Sequence, residues 1–301
     1  MWWLWTVAHA QVPQLVGTVD HAPIDEQSGI VQSRRWPGVF WVHNDDGAPA
    51  LFAIDAEANV ILPPYLSDRV RVGPASKRDK APLWSGVEVA GTSNIDWEDV
   101  AVDGEHVYLA DTGNNGNARR DLGVYVLVEP NPRATDRARV LARWPVGYPE
   151  QQQFPARQWH YDCEAVFVHD DRLYFLTKHR VAGQIGQPEN GTNLYRLDTR
   201  HTDRVNALTL VDRMDDIGGW VTGADLSPSG GTLAVLVYAP KTAVWLFETP
   251  AVGDGFLHSA SRTIPLELNQ VKQAEGIAWV DETTLLITNE QRQMFRLDVA
   301  Q

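Results

Sequence analysis

The feature that most constrains this chain is a degenerate internal repeat. Five times a short β-type segment opens a unit: Ser28–Val31, Glu98–Ala101, Glu164–Phe167, Gly223–Leu226 and Glu275–Ala278. In four of the five, a polar turn follows: Asp103-Gly104, Asp170-Asp171, Ser227–Gly231 or Asp281-Glu282. Asp, Gly and Ser between β-branched and aromatic runs are hairpin signals. In the first unit the turn is longer, Arg34–Gly38. A second segment comes next: Val39–Val42, Val107–Ala110, Leu173–Leu176, Leu233–Leu236 and Leu285–Thr288. These nearly continuous apolar runs read as strands buried on both faces. Third strands are expected at Leu51–Ile54, Val124–Leu127, Leu194–Leu197, Val244–Phe247 and Met294–Leu297. Weaker fourth strands are expected at Val87–Ala90, Val140–Arg143, Leu208–Val211 and Ile264–Glu267.

Four strands per unit, repeated about five times without a sustained amphipathic helix, predict an all-β fold, a β-propeller of about five four-stranded blades. The stretch 59–85 has room for the strands of a sixth. The last unit has only three strands, and an orphan segment, Leu15–Val19, precedes the first. This N-terminal strand is expected to close the last blade and hide the edges of the array.

Composition narrows the function classes. With 44% hydrophobic residues and no apolar run near the roughly 18 residues of a membrane span, residues 11–301 are expected to form one propeller domain. A net charge of −13 argues against nucleic acid as a partner. The single cysteine, Cys163, allows neither an intrachain disulfide nor a thiolate cluster. Residues 1–10, Met1–Ala10, combine a short apolar stretch with Ala8-His9-Ala10, the small-x-small pattern of a cleavage site. A truncated signal peptide is expected there, and with it a periplasmic or extracellular, bacterial location.

Propeller connectivity puts the second-to-third loops and the blade-to-blade connections on one face. Here those loops are long: His43–Gly47, Asp111–Asn115, Lys178-His179-Arg180 onward, and Tyr148–Asp162. The starts of the first strands open onto the axis at that face, with Ser28, Glu98, Glu164, Gly223 and Glu275 at equivalent positions. Asp96 and Asp162 lie two residues before two of the glutamates. The ends of the second strands add His43, Asp111, Thr177, Tyr238 and Asn289. Three glutamates converging on a narrow axis either share protons, lock neighbouring blades by hydrogen bonds, or are compensated by a cation. Carboxylates with an asparagine are hard oxygen ligands, so Glu98, Glu164, Glu275, Asp111 and Asn289 are the expected ligands of a Ca2+ ion. Asp96, Asp162, Lys178, His179 and Arg180 are expected to bind ligand. His43, with Asp45, is the candidate catalytic base. Trp41, Trp97, Trp245 and Trp279 read as packing between blades.

The set Trp41–Asp45, Asp96–Ala101, Ala110–Asn115, Val221–Pro228 and Ala274–Ala278 resembles a family of exported bacterial β-propeller proteins of uncharacterised activity. More distantly, Glu98 and Glu275-Gly276-Ile277 at strand starts are similar to the axial glutamate of the SMP-30/gluconolactonase and paraoxonase group, and the esterase-like and phytase-like propellers are also similar. The resemblance implies an axial Ca2+ that polarises an ester or lactone carbonyl, or holds phosphate. Two functions follow. One is a binding module, expected to be a monomer, for a small molecule, a glycan or an envelope protein on the long-loop face. The other is a Ca2+-dependent hydrolase of esters, lactones or phosphoesters, with His43 activating water.

Overall fold

The computed structural model describes residues 12–300; the expected signal segment lies outside the described residues. Short runs rich in Val, Ile, Leu and aromatic residues, cut by Asp/Gly turns, become strands throughout. In chain order they are β1 (Gln14–Thr18), β2 (Gln27–Gln32), β3 (Phe40–Asn44), β4 (Ala50–Ile54), β5 (Val87–Ala90), β6 (Trp97–Asp103) and β7 (His106–Asp111). Then come β8 (Gly123–Val128), β9 (Arg137–Gly147), β10 (Trp159–His169), β11 (Arg172–Arg180), β12 (Thr192–Arg196), β13 (Asn206–Ala207) and β14 (Thr209–Met214). The last are β15 (Gly219–Leu226), β16 (Thr232–Pro240), β17 (Ala243–Glu248), β18 (Ala260–Pro265), β19 (Ala274–Asp281), β20 (Thr284–Asn289) and β21 (Gln293–Asp298). Helix among the described residues is confined to 3-10 turns at Pro64–Leu66 and Phe256–His258 and one α-turn at Leu268–Val271.

Antiparallel pairing groups these strands into four-stranded units: β2-β3-β4-β5, β6-β7-β8-β9, β10-β11-β12-β14, β15-β16-β17-β18 and β19-β20-β21-β1. The inner strands β2, β6, β10, β15 and β19 touch in succession, and β19 touches β2, so they close a ring. The N-terminal strand completes the last unit as expected, with Gln14 opposite Arg296 and Thr18 opposite Gln293. The first two units are fused at their rims, because β5 and β9 pair in parallel from Glu88–Arg137 to Ala90–Arg139. Residues 59–85, which had room for further strands, carry the first 3-10 turn and isolated bridges at Ile54–Val60 and Arg71–Leu83. The apolar core lies between units, and Trp41, Trp97 and Trp279 are among its largest fully buried side chains.

One local irregularity positions the site. Near the start of every inner strand the register slips against the second strand. The pairs Trp97–Asp111 and Asp99–Ala110 leave Glu98 unpaired, and Cys163–Thr177 and Ala165–Leu176 leave Glu164 unpaired. Ala274–Asn289 and Gly276–Thr288 leave out Glu275, and Val221–Val237 and Gly223–Leu236 leave out Thr222. In β2 the slip falls between Gln27 and Ile30. A β-bulge adds one residue, bends the strand and re-aims the extra side chain. The register therefore aligns Ser28, Glu98, Glu164, Thr222 and Glu275. This corrects the sequence alignment in the fourth unit, where Gly223 stood one residue too far along and Tyr238 likewise stands where Val237 belongs.

Candidate functional site

At the bulged end of the ring the inner strands surround a cavity of about 250 Å³. Its walls carry seven carboxyl groups, Glu26, Asp45, Asp96, Glu98, Glu164, Glu275 and Glu290, against two basic side chains, Lys178 and Arg180. Gln27, Asn115, Gln273 and Trp220 supply most of the remaining polar and aromatic surface. The three bulged glutamates thus converge as the repeat predicted, joined by Asp96, Asp45, Lys178 and Arg180.

Lys178 and Arg180 lie in the last turn of pleat of β11 rather than in a loop, and their spacing of two puts both side chains on one face of it. Lys178 Nζ sits 2.9 Å from Glu164 Oε2, and Arg180 Nη2 lies 3.7 Å from Glu164 Oε1. Arg180 also donates to Asp162, which is fully buried behind the cavity and accepts from the Asn114 backbone N–H at 2.5 Å. Both basic groups lie over the Trp220 ring, each 5.1 Å from its centroid. The acidic funnel therefore carries its own partial counter-charge.

That compensation is incomplete. Burial, then the neighbouring charges of Glu164 and Asp96, holds the Glu98 carboxyl well above the usual range. Burial and Glu164 raise Glu275 to about 8, and burial with Glu26 raises Asp45 to about 7. Asp96 moves the same way through burial and Glu164, and Glu290 through burial and Glu26. Burial works against the Lys178 ammonium, but Glu164, Glu275 and Glu98 outweigh it and hold the group above its ordinary range. Burial draws Arg180 down to about 10, which leaves it charged at neutral pH. Near neutrality the cavity is a cluster of carboxyls that keep some of their protons because too few positive charges face them.

Other expected site residues go elsewhere, each for a local reason. His43 is fully buried, rests edge-on against Trp97 at 5.9 Å and shares Nδ1 with the Asn44 carbonyl at 3.0 Å. A Cβ on Gly29 would come within 2.7 Å of its Nε2, so the imidazole is pressed against the bulged backbone of β2 rather than facing the cavity. Burial lowers it to about 4, so it is neutral, but it has no access to a substrate in the axial cavity. His179 points to the opposite face of β11 from Lys178 and Arg180. It stacks on His160 at 3.8 Å and meets Thr177 Oγ1 at 3.0 Å. Asp111 is buried against Arg119 at 2.9 Å. Asn289 closes its own turn, accepting from the Gln293 N–H at 2.9 Å and donating to the Val271 carbonyl at 3.0 Å. Neither Asp111 nor Asn289 reaches the axis.

The carboxylates that could hold a metal accordingly differ from the expected five. Glu98, Asp162 and Glu164 each offer an oxygen within 4.8 Å of the other two, and Glu26, Asp45 and Asp46 form a second such group at the rim. Hard oxygen donors suit Ca2+, although Lys178 and Arg180 already occupy two sides of the inner group.

Sequence reasoning missed Gln27 and Trp220. Gln27 aligns with Trp97, Cys163, Val221 and Ala274, so an amide stands where the other four units have a residue of apolar bulk. That contrast was the available signal.

No protein-family model matches the sequence, and no curated protein is similar to it. Among solved structures the chain is similar to the PQQ-bound aldose sugar dehydrogenase of Streptomyces coelicolor, at 11% identity and a TM-score of 0.50, over 96% of this chain and 98% of that one. It is also similar to the Swd1 β-propeller domain of Myceliophteria thermophila (11% identity, TM-score 0.43, 96% and 100% covered). A gluconolactonase of Xanthomonas campestris aligns at 12% identity and a TM-score of 0.42, over 97% and 86%. At such identities the likeness is one of fold alone: the chain is a β-propeller.

Proposed function

We propose that this protein is a binding module whose axial cavity takes up a small positively charged ligand. The observation that carries this reading is the imbalance of seven carboxyl groups against two basic groups around one cavity of about 250 Å³. A cation entering the cavity replaces shared protons and relieves repulsion between carboxylates, so binding is favoured where the empty cavity is least comfortable. Ca2+ is one such ligand, with Glu98 and Glu164 as donors from the cavity wall, and a small organic ammonium is another. The hydrolase alternative has lost its expected water-activating base, since His43 is packed into the wall. A periplasmic or extracellular setting, and a glycan or envelope partner on the same face, remain compatible with this reading.

The test is a thermal melt near pH 7.5 with millimolar Ca2+, and separately with ethylammonium, on the wild type and Glu98→Gln. A rise in Tm with either cation that the variant loses supports the reading. No rise with both cations overturns it and turns the search to outer surfaces of the propeller.

A further inference from the structure

The cavity contains a polar group that charge alone does not account for. Gln27 is fully buried, lines the cavity, and neither its amide oxygen nor its amide nitrogen has a hydrogen-bond partner among the described residues. Leaving one buried polar atom unpaired is costly, and leaving both ends of one amide unpaired is rarer still. Nearby, Glu164 Oε1 is likewise buried without a hydrogen bond to a basic group, with Arg180 Nη2 3.7 Å away.

These atoms state what a ligand must offer. Gln27 Oε1 needs a donor and its Nε2 needs an acceptor. A bare metal ion answers the first demand and leaves the second. A hydroxyl group answers both. The carboxyl groups of Glu98, Glu164 and Glu275 ask for donors that carry positive charge. A divalent ion on Glu164 would stand within about 5 Å of the Lys178 ammonium, given the usual 2.3–2.6 Å Ca–O distance, and would be repelled by it. A primary ammonium carries half that charge, and Lys178 itself, 2.9 Å from Glu164 Oε2, shows that the cavity accommodates this group. The volume fits as well. At roughly 30 Å³ per water, the space equals about eight waters, the size of a small metabolite and below the roughly 300 Å³ at which pockets for drug-sized ligands begin.

We infer that the axial cavity recognises a small primary amine that also bears hydroxyl groups, an amino alcohol or amino sugar, with its ammonium on the axial glutamates and a hydroxyl on the Gln27 amide. This rests on the reading of the cavity as a cation site and names the class of cation.

The experiment is calorimetric titration of the full chain with glucosamine, ethylammonium, glucose and Ca2+, repeated on Gln27→Met. Methionine keeps the length of glutamine and removes only the unsatisfied amide, so the variant should melt at or above the wild-type temperature, which checks that it folds. The expected result is that glucosamine binds more tightly than ethylammonium or glucose, and that Gln27→Met weakens glucosamine about tenfold while leaving ethylammonium unchanged. Equal binding of glucosamine and ethylammonium, or indifference of glucosamine to Gln27→Met, overturns the inference while leaving the cation site in place. Binding of Ca2+ alone does the same. If no cation binds, the cation site falls and this inference falls with it.

Discussion

The bulged position of the inner strands is occupied in two ways. In the first and fourth units it is a hydroxyl residue, and each bonds to the backbone of the next unit: Ser28 Oγ donates to the Glu98 carbonyl at 2.7 Å, and Thr222 Oγ1 to the Ala274 carbonyl at 2.9 Å. In the second, third and fifth units it is Glu98, Glu164 or Glu275, and the side chain lines the cavity. The same backbone device thus carries a locking hydroxyl in two units, with Ser28 also bordering the cavity, and a cavity carboxyl in three. Locking between units, one of the alternatives the sequence left open for the glutamates, is done in large part by other groups. Asp99 Oδ2 accepts from the Val166 N–H and Asp225 Oδ2 from the Trp279 N–H, both at 2.8 Å, and each bond crosses from one unit to the next. What separates lock from site is the partner. A short hydroxyl or aspartate reaches a fixed backbone group, whereas a glutamate one methylene longer overshoots it and meets other side chains on the axis.

The contrast can be broken by exchanging the two chemistries. Thr222→Glu adds a fourth glutamate at the bulged position and removes a lock. It should cost about 3 kcal/mol, a fall in Tm of roughly 5 °C near pH 8, with part of the loss recovered at pH 5 where the new carboxyl keeps its proton. An unchanged Tm at pH 8 would mean that the fourth unit stands clear of the axial field.

A smaller effect of opposite sign is expected of Glu275→Gln. The native protein holds the Glu275 proton up to about pH 8, against an ordinary 4.5, so between those values the native state binds more protons than the unfolded one. Stability from this group therefore falls as pH rises through that window. The glutamine variant should show a shallower decline from pH 5 to 8, and above pH 8 it should exceed the wild type by about 2 kcal/mol in denaturant melts. Parallel pH profiles for the two proteins would make Glu275 a lock after all. The smallest change, Thr222→Val, removes only the hydroxyl and should cost about 1 kcal/mol, equally at pH 6 and pH 8, because no titrating group is touched. A pH-dependent loss there would show that lock and site are electrostatically one.

How far all this was legible in the sequence follows from the same bulges. The four-strand period, the closing role of Leu15–Val19 and the convergence of Glu98, Glu164 and Glu275 could be read from spacing, because each depends on pattern along one chain segment. His43, Asp111, His179 and Asn289 could not be placed that way. All four lie at or next to the ends of the second strands of their units, where a one-residue slip decides whether a side chain faces the axis or the wall. The slip arises from pairing with another strand, which a linear pattern does not record. For the same reason Lys178 and Arg180 were expected in a loop and are found at the end of β11, and the counter-charge they bring to the glutamates was not foreseen.

The pairing of β1 with β21 has a consequence in time. Gln14–Thr18 finds its partner in Gln293–Asp298, nearly the whole described chain away. On a ribosome the early segment emerges with nothing to pair against until the final unit has followed. Four units can assemble beforehand, but the ring stays unsealed, and the axial cavity has no fixed shape until Glu275 arrives on β19. The proposed ligand capture would thereby be confined to finished molecules, and a chain cut short before its last fifty residues would lack both the seam and one wall of the cavity.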